Sequence, residues 1–302
     1  MGGFMNDPIR YFRTDMAAEC CADLDLEAGV RGIRFREYQT AGISISQLHI
    51  TSEEGSTIIG KPLGRYITLD MGKVWLKSDE DFEAAAAVLA EELSELVASK
   101  VKTLECILVV GLGNRFITSD AVGPLAVKNL TVSRHIKELD PPLFEALATL
   151  PIAAIAPGVV GQTGIETAEL IRGTAERIAP SVILCIDALA AKSVERLAVT
   201  VQLSDNGIAP GSGIGNHRQS IDEAFLGVPV IAIGVPTVVD SSTMVFGMLE
   251  KAGITDLSEP LKAELENGRS FFVTLKDADT ASAEMARLIA RAIHLAFSTD
   301  RA

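Results

Sequence analysis

Two aspartates stand where loops of an α/β sheet could do chemistry. Asp120 lies in GLGNRFITSDAVGP (111–124), behind the apolar segment CILVVGL (106–112), and Asp187 directly ends VILCID (182–187). Ligands of open parallel sheets bind beyond the carboxyl ends of the strands, so neighbouring strands would bring the two carboxylates into one crevice. Close carboxylates cannot both ionise cheaply, and one keeps a proton. Such a pair supplies a base for an attacking water and an acid for the leaving nitrogen of an amide.

Each aspartate also has a structural alternative. Asp120 follows Thr118 and Ser119 at a predicted helix start, where a carboxylate can cap free backbone N–H groups. Asp187 can cap a turn after its strand, although a charge at the end of an apolar strand calls for a partner. The sequence leaves both interpretations open.

Glycine-rich loops provide further candidate residues. The segments PGVVGQTGIET (157–167) and DNGIAPGSGIGNHR (205–218) could bring backbone N–H groups to a substrate, or merely permit left-handed turns. The spacing of GSGIGN is wrong for a dinucleotide-binding loop, and HExxH, GxSxG and GxxxxGK[ST] do not occur. No metal or cofactor is therefore predicted. The candidate groove residues are Gly158, Gly161, Gln162, Thr163, Gly213, Asn216 and His217.

Composition limits the class of protein. The 302 residues include 40 acidic and 27 basic side chains, a net charge of −13, which argues against a strongly basic nucleic-acid binder. With 48% hydrophobic residues, the chain can bury a large core. No apolar segment approaches the roughly 18 residues of a membrane span, and the N-terminus lacks a secretory signal. A cytoplasmic protein is expected, and its four cysteines show neither a CxxC site nor a disulfide framework.

The elements that must position the two aspartates follow from periodicity. Near-continuous apolar segments at 106–112, 182–187 and 229–235 are typical of parallel strands covered on both faces. We predict a doubly wound α/β fold with a largely parallel sheet, helices on both faces and N-terminal β-hairpins at about 32–70. Residues 1 to about 30 are predicted to be a tail outside the core. The predicted helices are 79–100, 120–139, 163–178 and 278–297.

Seven segments, in order, resemble the spore germination protease family. The resemblance runs from the N-terminal arm to the last helix and implies a fold like that of hydrogenase-maturation proteases and phosphorylases. The segments are RTDMAAE (13–19), GKPLGRY (60–66), GLGN with TSDAVGP (111–124), PGVVGQTGIET (157–167), DALAAKSVERL (187–197), PGSGIGNHR (210–218) and PVIAIGVPTVVD (229–240).

The resemblance implies an endopeptidase that cuts small acid-soluble spore proteins during germination in the spore core. It further implies an atypical aspartic-type mechanism carried by Asp120 and Asp187, no cofactor, and a homotetrameric, self-processing zymogen. Thr14 to Glu19 match the family's cleavage pattern, which predicts a cut between Asp15 and Met16. Residues 1–15 would then be a propeptide, and 16–302 a single peptidase domain that binds neither nucleic acid nor membrane.

Three departures and two alternatives accompany the resemblance. Ser119 replaces a usual proline, Lys192 stands where arginine is common, and the region 241–267 is shorter than usual. The same aspartates are also similar to those of hydrogenase-maturation endopeptidases, which place acidic residues and a histidine around nickel. An inactive relative that only binds spore proteins through the same groove is the other alternative.

Overall fold

A single mixed sheet organises the molecule. The computed structural model describes residues 12–21, 24, 29–209, 219–254, 256–267 and 271–299. Within these residues the strand order is β1-β2-β3-β7-β8-β6-β4-β5, and β9 pairs with β8. The strands are β1 Ile33–Thr40, β2 Ile43–Ile50, β3 Gly64–Asp70, β4 Ile107–Gly111, β5 Ile152–Ile155, β6 Val182–Ala191, β7 Thr200–Ser204, β8 Val230–Asp240 and β9 Phe272–Val273.

Strands β8, β6, β4 and β5, which end the strand order, pair parallel, and β1, β2, β3, β7 and β9 pair antiparallel with their neighbours. All five residues of β4 are buried, because helices cover both faces of this part of the sheet. The predicted α/β class with a mostly parallel central sheet is confirmed. The predicted N-terminal hairpins are β1 to β3, which continue the same sheet through β7.

Helices pack on the two faces of the sheet. Apolar residues of α2, α3 and α11 share one core with the sheet, while those of α7 and α8 share a second core on the other face. The helices are α1 Glu53–Ile59, α2 Asp79–Lys100, α3 Val122–Asn129, α4 Arg134–Leu139, α5 Pro141–Ala146, α6 Val160–Thr163, α7 Thr167–Ile178, α8 Glu223–Leu226, α9 Ser241–Lys251, α10 Glu259–Asn267 and α11 Ala278–Ala296.

The predicted bounds of α2 and α11 are close to those observed, whereas two other predicted helices are wrong in extent. The segment 120–139 contains α3 and α4 rather than one helix, because the buried Ser133 leaves the helical path to bond β5. Its N–H donates to Ile152 O at 2.9 Å and its hydroxyl to Leu150 O at 2.8 Å. The segment 163–178 is divided by Gly164, whose φ of 71° ends α6 before α7 begins.

The N-terminal arm corrects another expectation. Phe12 to Cys21 were predicted to lie outside the core, yet Met16 and Ala17 are completely buried. A short 3-10 helix, Ala17–Cys21, packs over β2 and β3. The arm joins the core through contacts with residues far along the chain, which local periodicity does not reveal.

Candidate active site

A cavity of about 320 Å³ opens where β4 ends beside β6. Three carboxylates line it, those of Asp15, Asp120 and Asp187, although they come from the arm, a loop and a strand. The carboxyl end of a parallel strand is where α/β sheets bind ligands. The structure therefore brings both predicted catalytic residues and Asp15 of the predicted processing site to one cavity.

Asp187 lies within β6 rather than at its end. The strand continues to Ala191, whereas the neighbouring β4 stops at Gly111, so the side chain of Asp187 emerges beside the open end of β4. The carboxyl group is buried and accepts a hydrogen bond from Ala188 N at 2.9 Å. Because the strand continues, there is no turn for Asp187 to cap. Burial, together with the nearby charge of Asp187, raises the pKa of the Cys185 thiol.

Asp120 organises its own loop instead of capping α3. The N-cap of α3 is Ala121, which has no capping side chain. The Asp120 carboxylate accepts a hydrogen bond from Asn114 N at 2.7 Å. Gly113, at φ 109°, lets the backbone approach closely, since a Cβ there would lie 2.7 Å from Asp120 Oδ1. The hydroxyl of Thr237 on β8 donates to Ser119 O, the carbonyl of the residue before Asp120.

A glycine also lets α3 pack closely against the residue that follows β4 and against the middle of β6. A Cβ on Gly123 would lie 2.3 Å from Leu112 O and 2.6 Å from Ile186 O. Leu112 N in turn donates to Ile186 O at 2.8 Å. This backbone contact fixes the loop that carries Asp120 relative to the strand that carries Asp187.

The arm enters the cavity by pairing with the end of β6. Asp15 N donates to Ala190 O at 2.8 Å, and Ala190 N donates to the Asp15 carboxylate at 2.9 Å. Lys61 Nζ donates to Thr14 O at 2.9 Å. The Thr14–Asp15 peptide group and the side chain of Asp15 are therefore held in place.

Gln202 is a site residue that the sequence analysis missed. Gln202 pairs with Gly234 in the sheet, and Gly234 pairs with Asp187 on its other side. The side chains of Gln202 and Asp187 therefore project from the same face, and the glycine between them has no side chain to separate them. The Gln202 amide donates to Asp15 O at 3.2 Å and accepts from Ala17 N at 2.7 Å. It thereby contacts the peptide groups on both sides of Met16, one of which is the Asp15–Met16 bond. The sequence signal for this residue is a glutamine within the apolar segment TVQLS, whose residues are all buried. A buried amide needs hydrogen-bond partners, which points to a site nearby.

Glu19 anchors the arm on its other side. Its nearly buried carboxylate accepts hydrogen bonds from Lys192 N at 2.6 Å and Ser193 N at 3.0 Å, and it forms an ion pair with Arg196 at 3.4 Å. The hydroxyl of Thr14 also donates to it. Lys192 stands where the family commonly has arginine. Because Lys192 contributes only its backbone N–H to Glu19, this difference leaves the anchor intact.

The predicted groove residues divide into three groups. Gly158 lines the cavity, and Gln162, outside it, donates from its amide to Asn114 Oδ1 at 2.8 Å, which ties α6 to the Asp120 loop. Gly161 and Thr163 are exposed and do not line the cavity. The hydroxyl of Thr163 bonds within its own turn. The remaining three predictions, which lie outside the described residues, are Gly213, Asn216 and His217.

Neither a metal cluster nor a membrane span occurs in the part of the chain that the structure describes. No three His, Cys, Asp or Glu side chains there are grouped so that they could hold a metal ion. None of the described helices is long and apolar enough to cross a bilayer.

Comparison with known proteins gives a consistent set of relatives. The sequence profile of the family described as Germination protease matches residues 13–250. The germination protease of Clostridium acetobutylicum is 41% identical over 89% of this chain and 81% of its own length. Those of Priestia megaterium and Bacillus subtilis are 42% and 44% identical, over 86% and 77% of this chain and 73% and 64% of their own lengths. Among solved structures, the NiFe hydrogenase maturation protease HycI from Thermococcus kodakarensis aligns with a TM-score of 0.33 and 16% identity, covering 58% of this chain and 99% of that chain.

Proposed function

Because this chain belongs to the germination protease family and is a peptidase, we propose that it is an endopeptidase in which Asp120 and Asp187 activate a water molecule. The observation that carries the proposal is that both carboxylates line one cavity together with Asp15 of the arm. The cavity thus combines an acid–base pair with a peptide segment of the kind to be cut.

The proposed reaction divides one proton between the two carboxyl groups. The ionised carboxylate takes a proton from water as the water oxygen bonds to the amide carbon. The protonated carboxyl then gives its proton to the leaving nitrogen, and the C–N bond breaks. The products are a carboxylic acid and an amine, and the pair is left with one proton, as at the start.

The same site would carry out self-processing between Asp15 and Met16. The Gln202 amide that donates to Asp15 O is suited to stabilise negative charge developing on that oxygen. Met16 packs among Leu189, Leu197 and Val239, which form an apolar pocket for the residue after the cut. Cleavage would release residues 1–15 as a propeptide and leave 16–302 as the peptidase domain.

The arm also indicates which substrates fit. An acidic residue, an apolar residue and a small residue, in that order, would occupy the positions of Asp15, Met16 and Ala17. We propose small acid-soluble spore proteins, cut in the spore core, as these substrates. The homotetramer implied by the family resemblance stays a prediction, which light scattering of the purified chain would check.

The test is substitution of each aspartate. Asp120→Asn and Asp187→Asn should each slow self-cleavage and cleavage of a peptide copied from residues 12–21 by roughly 10²–10⁴-fold, the usual contribution of acid–base catalysis. Asp79→Asn, on the exposed first turn of α2, is the matched control and should cut at the wild-type rate.

Intact mass spectrometry reads the result directly. Loss of residues 1–15 from the wild type and the control, but not from the two variants, is expected. Wild-type rates in either variant, or cleavage only at another bond, would contradict the proposal. A wild-type chain that binds the peptide without cutting it would support the inactive binder instead.

A further inference from the structure

Three basic side chains stand in one row across the antiparallel part of the sheet, far from the two aspartates in sequence. Arg34 on β1 pairs with His49 on β2, and His49 pairs with Arg65 on β3. Register partners project from the same face of a sheet with Cβ atoms about 4.5–5.5 Å apart. The row therefore places two guanidinium groups on either side of one imidazole.

The row lines a cavity of about 350 Å³ between the sheet and the C-terminal half of α2. Arg36 and Gln47 lie one step along the same face, and Glu95 of α2 forms part of the wall. Arg34 and Arg65 are exposed, whereas His49 is half-buried between them. The cavity is open to solvent at its charged side chains.

The neighbouring acids do not neutralise the two outer arginines. Within the described ranges, no carboxylate lies within 4.0 Å of the guanidinium nitrogens of Arg34 or Arg65. Asp205 accepts from the backbone N–H of Arg65 at 2.7 Å and pairs with Lys100 at 3.5 Å. The Arg36 guanidinium lies over the Tyr38 ring, 4.4 Å from its centroid.

The electrostatics of His49 agree with this geometry. Burial lowers the pKa of its imidazole, the charge of Arg65 lowers it further, and Arg34 and Lys100 add to the effect. Asp205 opposes them without reversing the direction. His49 is therefore mostly neutral near pH 7, since its unperturbed pKa is about 6.5.

Two guanidinium groups flank one imidazole in this row, although a chain with a net charge of −13 has no general excess of basic residues. We propose that the row Arg34, His49 and Arg65 is a binding site for a doubly charged oxyanion, the phosphate group of a small molecule. Guanidinium groups match the oxygens of phosphate with paired hydrogen bonds. An anion bound between them raises the pKa of the imidazole and so favours its protonated form.

Inorganic sulfate is the probe, because it stays doubly charged at pH values where phosphate, with a second pKa of about 6, changes its charge. The His49 ring resonances of the full chain are followed by NMR as sulfate is added. Saturable shifts are expected, together with a rise of about one unit in the His49 pKa. By linkage, a rise of one unit means binding about tenfold tighter to protonated than to neutral His49.

Variants separate the site from a general salt effect. Arg34→Gln and Arg65→Gln should each weaken sulfate binding at least tenfold, because each removes one of the two guanidinium groups that hold the anion. The matched control is Arg31→Gln, at an exposed arginine that pairs with Glu54 outside the row and should bind as the wild type does. His49→Gln should keep binding but lose its pH dependence.

Several results would overturn the proposal. These are shifts that do not saturate, equal binding by the control and the two row variants, or a His49 pKa unmoved by sulfate. Saturable binding of a short DNA duplex at His49 without saturable binding of sulfate would assign the row to nucleic acid and would also refute it.

Discussion

The contact of Gly123 with the backbone oxygens of Leu112 and Ile186 predicts that a single added methyl group should damage both stability and catalysis. In Gly123→Ala the new Cβ would have to move from 2.3 Å to at least 3.0 Å from Leu112 O, the distance below which Cβ atoms essentially never lie. The required displacement is about 0.7 Å. The atoms in its way are the backbone oxygens of Leu112, just after β4, and of Ile186 in β6, which cannot rotate aside as a side chain can.

The displacement acts on the site because Asp120 lies three residues before Gly123, in the loop that leads into α3. An error near 1 Å in the placement of a reacting group can cost about 10²-fold in rate. We therefore expect kcat for the arm-derived peptide to fall by roughly 10–100-fold while KM changes little. Overpacking should also destabilise the chain by about 1–3 kcal/mol, which lowers the melting temperature by about 2–4 °C per kcal/mol.

Gly173→Ala is the matched control, since Gly173 is exposed within α7 and a Cβ there meets no atom within 4 Å. Alanine should stabilise that helix by up to about 1 kcal/mol and leave kcat unchanged. Calorimetry and peptide cleavage measure both variants. If Gly123→Ala melted at a higher temperature and retained its kcat, as expected of Gly173→Ala, the proposed backbone contact would be refuted.

The arm gives three further predictions. Gln202→Ala removes the bonds to Asp15 O and Ala17 N, so self-cleavage followed by intact mass should slow by about 10²-fold; an unchanged rate would contradict a role for this amide. Burial raises the pKa of the Cys21 thiol from 9.0 to about 12. Native Cys21 should therefore resist alkylation at pH values where the denatured chain reacts. The free energy of unfolding should fall as the pH rises between these two values, because the unfolded chain loses this proton first. Glu19→Gln weakens charge-assisted hydrogen bonds worth about 1.5–3 kcal/mol, so Cys21 should be alkylated at least ten times faster in this variant. Equal alkylation rates in the variant and the wild type would show that Glu19 does not hold the arm.

The sequence by itself determined the class of the fold and the residues around which a site could form. Continuous apolar segments predict β4, β6 and β8, because strands covered on both faces contain few polar residues. The acidic first turn and terminal lysine of 79–100 predict α2 nearly to the residue. Asp120 and Asp187 were identified from their positions after strands, which is a local property of the chain.

Only the tertiary structure decided what surrounds these aspartates. The extension of β6 beyond Asp187 depends on pairing with β8, and the break after α3 depends on Ser133 bonding to β5. The arm is buried because its apolar residues pack against distant strands, and Ala17 N donates to Gln202, which is 185 residues away. Contacts over such distances arise from the order of strands in the sheet, and no local period or spacing in the sequence encodes that order.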